Sequence, residues 1–299
     1  MRVLISGAGG LIGRETSILL RESGHQVHNL VRDASKSSPG DVVWDPAKPV
    51  DPREIGGFDM VLHLAGRPVA TLWTEKARQE IRSSRVEGTA NLARAVAEAF
   101  CAHGRPRAMI CSSAIGYYGS RGDEELVEES EPGMGFLAEV CREWEDAAQV
   151  AALTGVRVAH MRTSLVLSAK GGALAKMLPA FRLGLGGKLG SGRQWWSWVS
   201  LRDASRAFLF AIENEQLHGA LNLAAPDAAT NAEFTRALGR VLHRPTLLTV
   251  PAFMLRAVAG EMAEEMLLAS QSVVPKRLLE AGFHFKDEQL ETLLRELLG

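Results

Sequence analysis

The chain has 299 residues, 46% of them hydrophobic, with 34 basic and 35 acidic side chains and a formal net charge of -1. That composition fills a sizeable core in one or two domains, and the interspersed charge leaves no basic footprint for nucleic acid or an anionic membrane. No apolar run reaches the roughly 20 residues that cross a bilayer, and Cys101, Cys111 and Cys141 are far apart with no Cys/His cluster, which points to reduced, buried thiols and no metal site.

The first predicted strand, Val3 to Ile5, runs into Gly7, Gly10 and Gly13, and Leu11 to Leu20 continues with apolar residues at helical spacing. Strand, tight turn and helix in that order form a dinucleotide cradle. The glycines close the turn and let a pyrophosphate approach the main chain, and the unpaired N–H groups of Leu11, Ile12 and Gly13 at the helix N-terminus face the anion. A second strand, Gln26 to Val31, leads to Arg32 about 20 positions after the glycines. In that position an Arg suits the 2′-phosphate of NADP, whereas an acidic residue suits the ribose hydroxyl of NAD. Arg32 therefore predicts NADP(H) over NAD(H), with Asp33 as the competing ribose ligand. With a strand opening the chain there is no apparent leader, so the expected location is cytoplasmic.

A short strand is predicted at Val42 to Trp44, then a continuous apolar run, Asp59 to Ala65, of the kind buried on both faces of a parallel sheet. Ligands collect at the carboxyl ends of such strands, which makes Leu64, Ala65 and Gly66 cofactor neighbours; His63, one step earlier, reads as a core histidine. Glu75 to Phe100 carries a long amphipathic pattern with a possible interruption at Gly88. Strand Ala108 to Ser112 follows, then a helix over Gly135 to Leu153 with Glu139, Arg142, Glu143 and Glu145 on its solvated side, and a strand over Val156 to Leu167 ending near Arg162. Alternating strands and helices imply an α/β fold with a doubly wound parallel sheet. From Gly171 the texture becomes glycine-rich, with helices predicted at Asp203 to Ile212, Ala232 to Leu242 and Phe253 to Ala269. The expected division is a nucleotide-binding domain over 1–167, with segments around 195–215 returning to it, and a smaller substrate domain over 168–299. The loop GSGRQWWSWV offers substrate contacts: Arg193 for an anion, and Trp195, Trp196 and Trp198 as flat surfaces, with Trp196 and Trp198 on one face and Trp195 on the other.

Four motifs in order, SGAGGLIG, HLAG, SSAIGYYG and WVSLRDASRA, resemble the extended short-chain dehydrogenase/reductase superfamily of the NAD-dependent epimerase/dehydratase type. More narrowly, GYYG, FLAEVCREWE, the tryptophan-rich loop and the tail from Pro251 resemble its atypical "epimerase family protein" branch, which carries a C-terminal domain of unknown function. The resemblance implies a Rossmann fold, a nicotinamide cofactor, a small-molecule substrate and, in the wider superfamily, a helix-mediated homodimer. Its catalysis uses a Tyr and a Lys four positions later, and in this chain Phe136 and Val140 stand where these are expected. A phenyl ring has no exchangeable proton and valine no charge. Ser112, Ser113, Tyr117 and Tyr118 remain as catalytic candidates. Two functions are therefore open: an NADP(H)-dependent epimerase-like oxidoreductase, or a non-catalytic NADP(H)-binding redox sensor, the latter in keeping with branch members labelled for cell or plastid division.

Overall fold

The computed structural model describes residues 1–299. Its main sheet has seven strands: β1 (Arg2–Ser6), β2 (Gln26–Val31), β3 (Val42–Val43), β4 (Met60–His63), β5 (Ala108–Ala114), β6 (Arg157–Thr163) and β7 (Gly219–Leu223), in spatial order β7-β6-β5-β4-β1-β2-β3. Pairing from β5 through β4, β1 and β2 to β3 is parallel. The expected doubly wound α/β fold is present. Strand order reverses between β1 and β4, and in open α/β sheets the ligand crevice opens at that reversal. The helices α1 (Leu11–Glu22), α2 (Glu75–His103), α3 (Phe136–Ala147) and α4 (Leu201–Glu213) connect these strands in sequence, and α5 (Asn231–Leu242) follows the last of them.

Local chemistry accounts for the departures from the sequence reading. Gly88 does not interrupt α2; it is buried within the unbroken helix, and a Cβ there would only make ordinary contact with Pro46 at 3.4 Å. Thr74 caps this helix by accepting from the Ala77 N–H, and Gly104 ends it in the left-handed region. The apolar run expected over Val156 to Leu167 is two strands. The chain leaves the main sheet at Ser164, whose N–H and hydroxyl both donate to the Leu223 carbonyl, and Leu165–Leu167 pairs instead with Trp198–Ser200. The helix expected over Phe253 to Ala269 stops at Ala259, because Gly260 adopts φ +55°, and a π-helical turn follows over Ala263–Leu268.

The chain forms two compact units. The first comprises Met1–Ser113, Val140–Met161 and Ser205–Leu221, and the second Ala114–Glu139, Arg162–Ala204 and Asn222–Gly299. The core of the first is built from sheet residues such as Leu4, Val61, Met109 and Val158 and from the α2 stripe Leu92, Val96 and Ala99. The second has its own core, in which Leu174, Leu178, Trp198, Phe234, Leu238 and Leu294 meet. Cys111 and Cys141 are buried, but Cys101 is exposed, contrary to expectation. No helix is long and apolar enough to cross a membrane.

Candidate functional site: a glycine cradle and two buried polar clusters

In the first unit, β1 presses Val3, Leu4 and Ile5 into the core and delivers Ser6 and Gly7 to the start of the turn. Gly7 has φ +75°, and a Cβ there would lie 2.7 Å from the Leu64 carbonyl carbon. A Cβ on Gly13 would collide with the Gly7 carbonyl oxygen, which already accepts the Gly10 N–H at 2.9 Å. These two glycines are therefore required by space. Gly10 caps α1 without a side-chain hydrogen bond, and the first turn of the helix has no acidic residue. The first-turn N–H groups of Leu11, Ile12 and Gly13 thus lack an acceptor of their own, and the helix dipole adds positive potential there. This cradle, too tight for any side chain at Gly7 or Gly13 and lined by helix-end donors, fits a dinucleotide pyrophosphate.

The far wall of the cradle is the end of β4, and a buried chain of hydrogen bonds holds it. Ser6 Oγ accepts from the N–H groups of Leu64 and Ala65, each at 3.2 Å, and lies 2.6 Å from His63 Nδ1. Because Ser6 already accepts twice, its own proton goes to Nδ1. His63 Nε2–H then donates to Thr89 Oγ1 at 3.0 Å, which also accepts the Trp144 indole N–H at 2.8 Å. His63 is wholly buried and is, as expected, a core histidine; burial pushes its pKa down to about 4, which keeps it neutral. Gly66 continues past the wall and is exposed.

At the end of β2, the exposed Arg32 carries no ion pair. Its neighbour Asp33 is engaged in its own loop: the carboxylate accepts the Ser35 N–H at 3.0 Å and the Ser35 hydroxyl at 2.7 Å, and these bonds hold its pKa below the usual range. At the end of β5 the two serines diverge. Ser113 is buried and donates to Glu145 Oε1 at 2.7 Å, whereas Ser112 is half-buried and its hydroxyl is uncommitted. Glu145, expected on the solvated side of α3, is only 9% exposed. The buried positions Ala138, Cys141, Trp144 and Ala148 place it on the apolar stripe, a spacing legible in the sequence and passed over there.

In the second unit, Tyr117 and Tyr118 lie on the 3₁₀ turn after β5. Tyr118 is fully buried; its hydroxyl donates to Asn222 Oδ1 at 2.7 Å and accepts from Arg162 Nη1 at 2.9 Å. Burial pushes the phenol up to about 12, against the opposing pull of Arg162. Arg162 is itself 3% exposed; its Nη1 also donates to the Glu128 carbonyl, and its guanidinium lies 3.4 Å from the centroid of the Tyr117 ring. Arg162, a candidate cofactor contact by its place near the end of its strand, is through these contacts a support for the tyrosine pair. Tyr117 is half-buried, and its hydroxyl has no partner in the protein. Glu128 accepts the N–H groups of Asn222 and Arg277 on Oε1, while Oε2 is buried with no partner, and desolvation raises its pKa. Sequence reasoning missed Glu128 and Asn222, because neither position announces a partner 94 residues away.

The tryptophan loop divides much as its alternation predicted. Trp198 is fully buried in the core of this unit and presents no face for substrate, while the partly buried Trp196 packs against that core, edge-on to Phe234 at 5.5 Å. Trp195 is half-buried and donates its indole N–H to Asp123 at 3.0 Å. Arg193 is exposed and has no ion pair. The aspartate of WVSLRDASRA, Asp203, is fully buried and accepts the N–H groups of Lys286 and Asp287, each at 2.8 Å, so that motif ties the C-terminal segment down. Arg202 beside it pairs with Asp287.

The model of the NAD dependent epimerase/dehydratase family matches residues 3–224, and a domain of unknown function (DUF1731) matches residues 250–297. An epimerase family protein of Mycobacterium bovis is 43% identical over 285 residues, covering 95% of this chain and 93% of that protein. The crystal structure of human epimerase family protein SDR39U1 (isoform 2) with NADPH is similar with a TM-score of 0.89 and 34% identity, over 99% of each chain. That of a nucleoside-diphosphate sugar epimerase from Corynebacterium glutamicum gives a TM-score of 0.83 and 36% identity, over all of this chain and 58% of that one. With its glycine cradle at the strand-order reversal and these matches along its length, the chain belongs to the NAD dependent epimerase/dehydratase family.

Proposed function

We propose that this protein binds NADPH in preference to NADH and acts as an epimerase-like oxidoreductase on a small substrate, without the Tyr-Lys dyad of its superfamily. The observation that carries the cofactor reading is the pair at the end of β2. The Arg32 guanidinium is exposed and has no counter-ion, while the Asp33 carboxylate that would otherwise select a ribose hydroxyl is held by Ser35. A planar fork of donors suits a 2′-phosphate, and the NADPH present in the human SDR39U1 structure supports the choice. The cofactor supplies hydride exchange when bound. The chain supplies the phosphate contacts of the α1 N-terminus, the wall held by Ser6 and His63, and polar groups for the substrate. Among those groups Ser112 and Tyr117 are favoured, because the hydroxyls of Ser113 and Tyr118 are committed to Glu145 and Asn222.

Phe136 opens α3 at 6% exposure and Val140 follows at 1%; on this reading they occupy the dyad positions, and neither can exchange a proton. That observation also favours a second reading, a non-catalytic NADP(H)-binding sensor. Two measurements test the proposal. Titration with NADPH and NADH should give tighter NADPH binding in the native chain and equal affinities in Arg32→Ala; equal affinities in the native chain refute the cofactor assignment. Incubating the protein with stereospecifically tritiated NADPH and a metabolite pool then separates the readings. Label transferred to any compound establishes hydride chemistry, and its continued absence moves the assignment to the sensor.

A further inference from the structure

The second unit carries a surface that neither the cradle nor the tyrosine cluster uses. Helix α5 ends at Leu242, His243 turns the chain through the left-handed region at φ +52°, and residues 244–246 fold back along the helix. The Arg244 N–H donates to the Gly239 carbonyl at 2.9 Å, and a Cβ on Gly239 would lie 2.5 Å from the Thr246 methyl group, so a glycine is what lets this loop close. Along helix and loop runs an open groove of about 600 Å³; Arg236, Arg240, His243 and Arg244 line it, and no acidic side chain does. Arg240 lies in the last turn of α5, where a cation suits the helix dipole, and it pairs with Glu291. Arg236 stands one turn after Glu233, whose carboxylate accepts from the Thr230 N–H and hydroxyl. Arg244 lies beyond the helix, exposed, with no counter-ion.

From this groove the chain runs straight into a strand with a free edge. Leu248–Val250 pairs in parallel with Gly187–Leu189, and no strand pairs with its other side. The Val250 carbonyl faces that partner and accepts the Gly190 N–H at 2.8 Å, so alternation along the strand turns the N–H and C=O of Thr249 outward. Sheet edges are ordinarily guarded by charge, proline or a covering element. This one presents Leu247, Leu248 and Thr249, all exposed and none charged, with Leu247 at 91%. The exposed Leu183 and Leu185 extend the apolar surface, because a Cβ on Gly184 between them would lie 3.7 Å from Pro245. We propose that the edge of Leu248–Val250 and the basic groove beside it form a docking site for an extended segment of a partner protein, acidic where it meets Arg236 and Arg244 and apolar where it meets Leu183 and Leu247. Main-chain bonds to Thr249 hold such a segment, and the groove selects its charge. Two other occupants fit less well. A bilayer leaves the outward N–H and C=O of Thr249 unpaired in hydrocarbon, and a second copy joined edge to edge about a two-fold axis brings the same arginines toward one another.

Short random peptides displayed on phage and panned against the native protein, with NADPH added, supply the probe. Enriched peptides should be acidic with apolar residues at alternate positions, and their synthetic forms should bind in fluorescence anisotropy and weaken as salt rises. Thr249→Pro removes the outward N–H alone, since an edge strand tolerates proline where its N–H faces solvent, and should weaken the peptide about tenfold or more. N-methylation of the peptide along its bonding edge should cost as much without altering the protein. Arg244→Glu should weaken binding to a similar degree, and lysine in place of the peptide's acidic residues should recover it; an arginine with a merely structural role permits no such exchange. Panning that enriches no peptide, peptides without an excess of acidic residues, or affinity unchanged in a folded Arg244→Glu overturns the inference. So does binding to phosphatidylglycerol vesicles that Arg244→Glu abolishes while no peptide is enriched, which assigns the surface to a membrane, or concentration-dependent dimerisation lost in Thr249→Pro, which assigns it to a second copy.

Discussion

His63 makes a quantitative prediction possible, because it is wholly buried, held at both ring nitrogens and neutral in the folded chain. Its pKa falls from 6.5 to about 4 on folding through burial. Between those values the unfolded chain binds a proton that the folded chain does not, so stability rises with pH across this window. The contribution is fully present above about pH 6.5 and is lost as pH falls toward 4. At about 1.4 kcal/mol per pH unit, the gap caps the effect at about 3 kcal/mol, of which roughly 2 kcal/mol is gone by pH 5. His63→Gln keeps a donor and an acceptor but does not titrate. At pH 7.5 its less favourable geometry toward Ser6 and Thr89 should cost about 1–3 kcal/mol. In urea unfolding followed by tryptophan fluorescence, the difference between native and variant chains should shrink by about 2 kcal/mol between pH 7.5 and 5. A difference that stays constant over that range would mean the histidine is not held neutral by the fold, and the proton assignment along Ser6, His63 and Thr89 would be wrong.

Three further outcomes are expected. Gly13→Ala forces a Cβ into the Gly7 carbonyl oxygen and should abolish cofactor binding, which isothermal titration would show; retained NADPH affinity would contradict the cradle's geometry. Tyr118→Phe removes the hydroxyl bonded to Asn222 and Arg162 and should destabilise the chain by about 1–3 kcal/mol, while cofactor affinity stays unchanged; Tyr117→Phe should leave stability unaltered, so equal losses of stability in both variants would refute the division between them. Glu128 has its carboxyl pKa raised by desolvation, so its contribution to stability is fully present below the ordinary carboxyl pKa and is lost as pH rises through the folded value. Glu128→Gln, which keeps the acceptor for Asn222 and Arg277, should therefore be more stable than the native chain at pH 7 and lose that advantage at acidic pH; an advantage that persists unchanged in acid counts against this account.

Much of the fold is readable from the order of residues because its signals are local. The glycine spacing after Val3–Ile5, the continuous apolar run of β4 and the 3.6-residue rhythm of the helices each lie within one element, and short-range sterics and burial set them. The cradle at Gly7, Gly10 and Gly13 and the exposed Arg32 belong to that class. Partnership between distant positions does not. Whether Ser112 or Ser113 keeps its hydroxyl depends on Glu145, whether Tyr117 or Tyr118 stays accessible depends on Arg162 and Asn222, and whether Asp33 competes with Arg32 depends on how the loop closes on Ser35. Whether Trp198 serves as a contact surface depends on the second core, which encloses it, while Trp196 packs partly buried against that core. The sequence by itself determined the sheet and the glycine turn. Tertiary structure alone decided which polar groups are spent on one another and which are left for a ligand, because that depends on contacts between residues far apart in the chain.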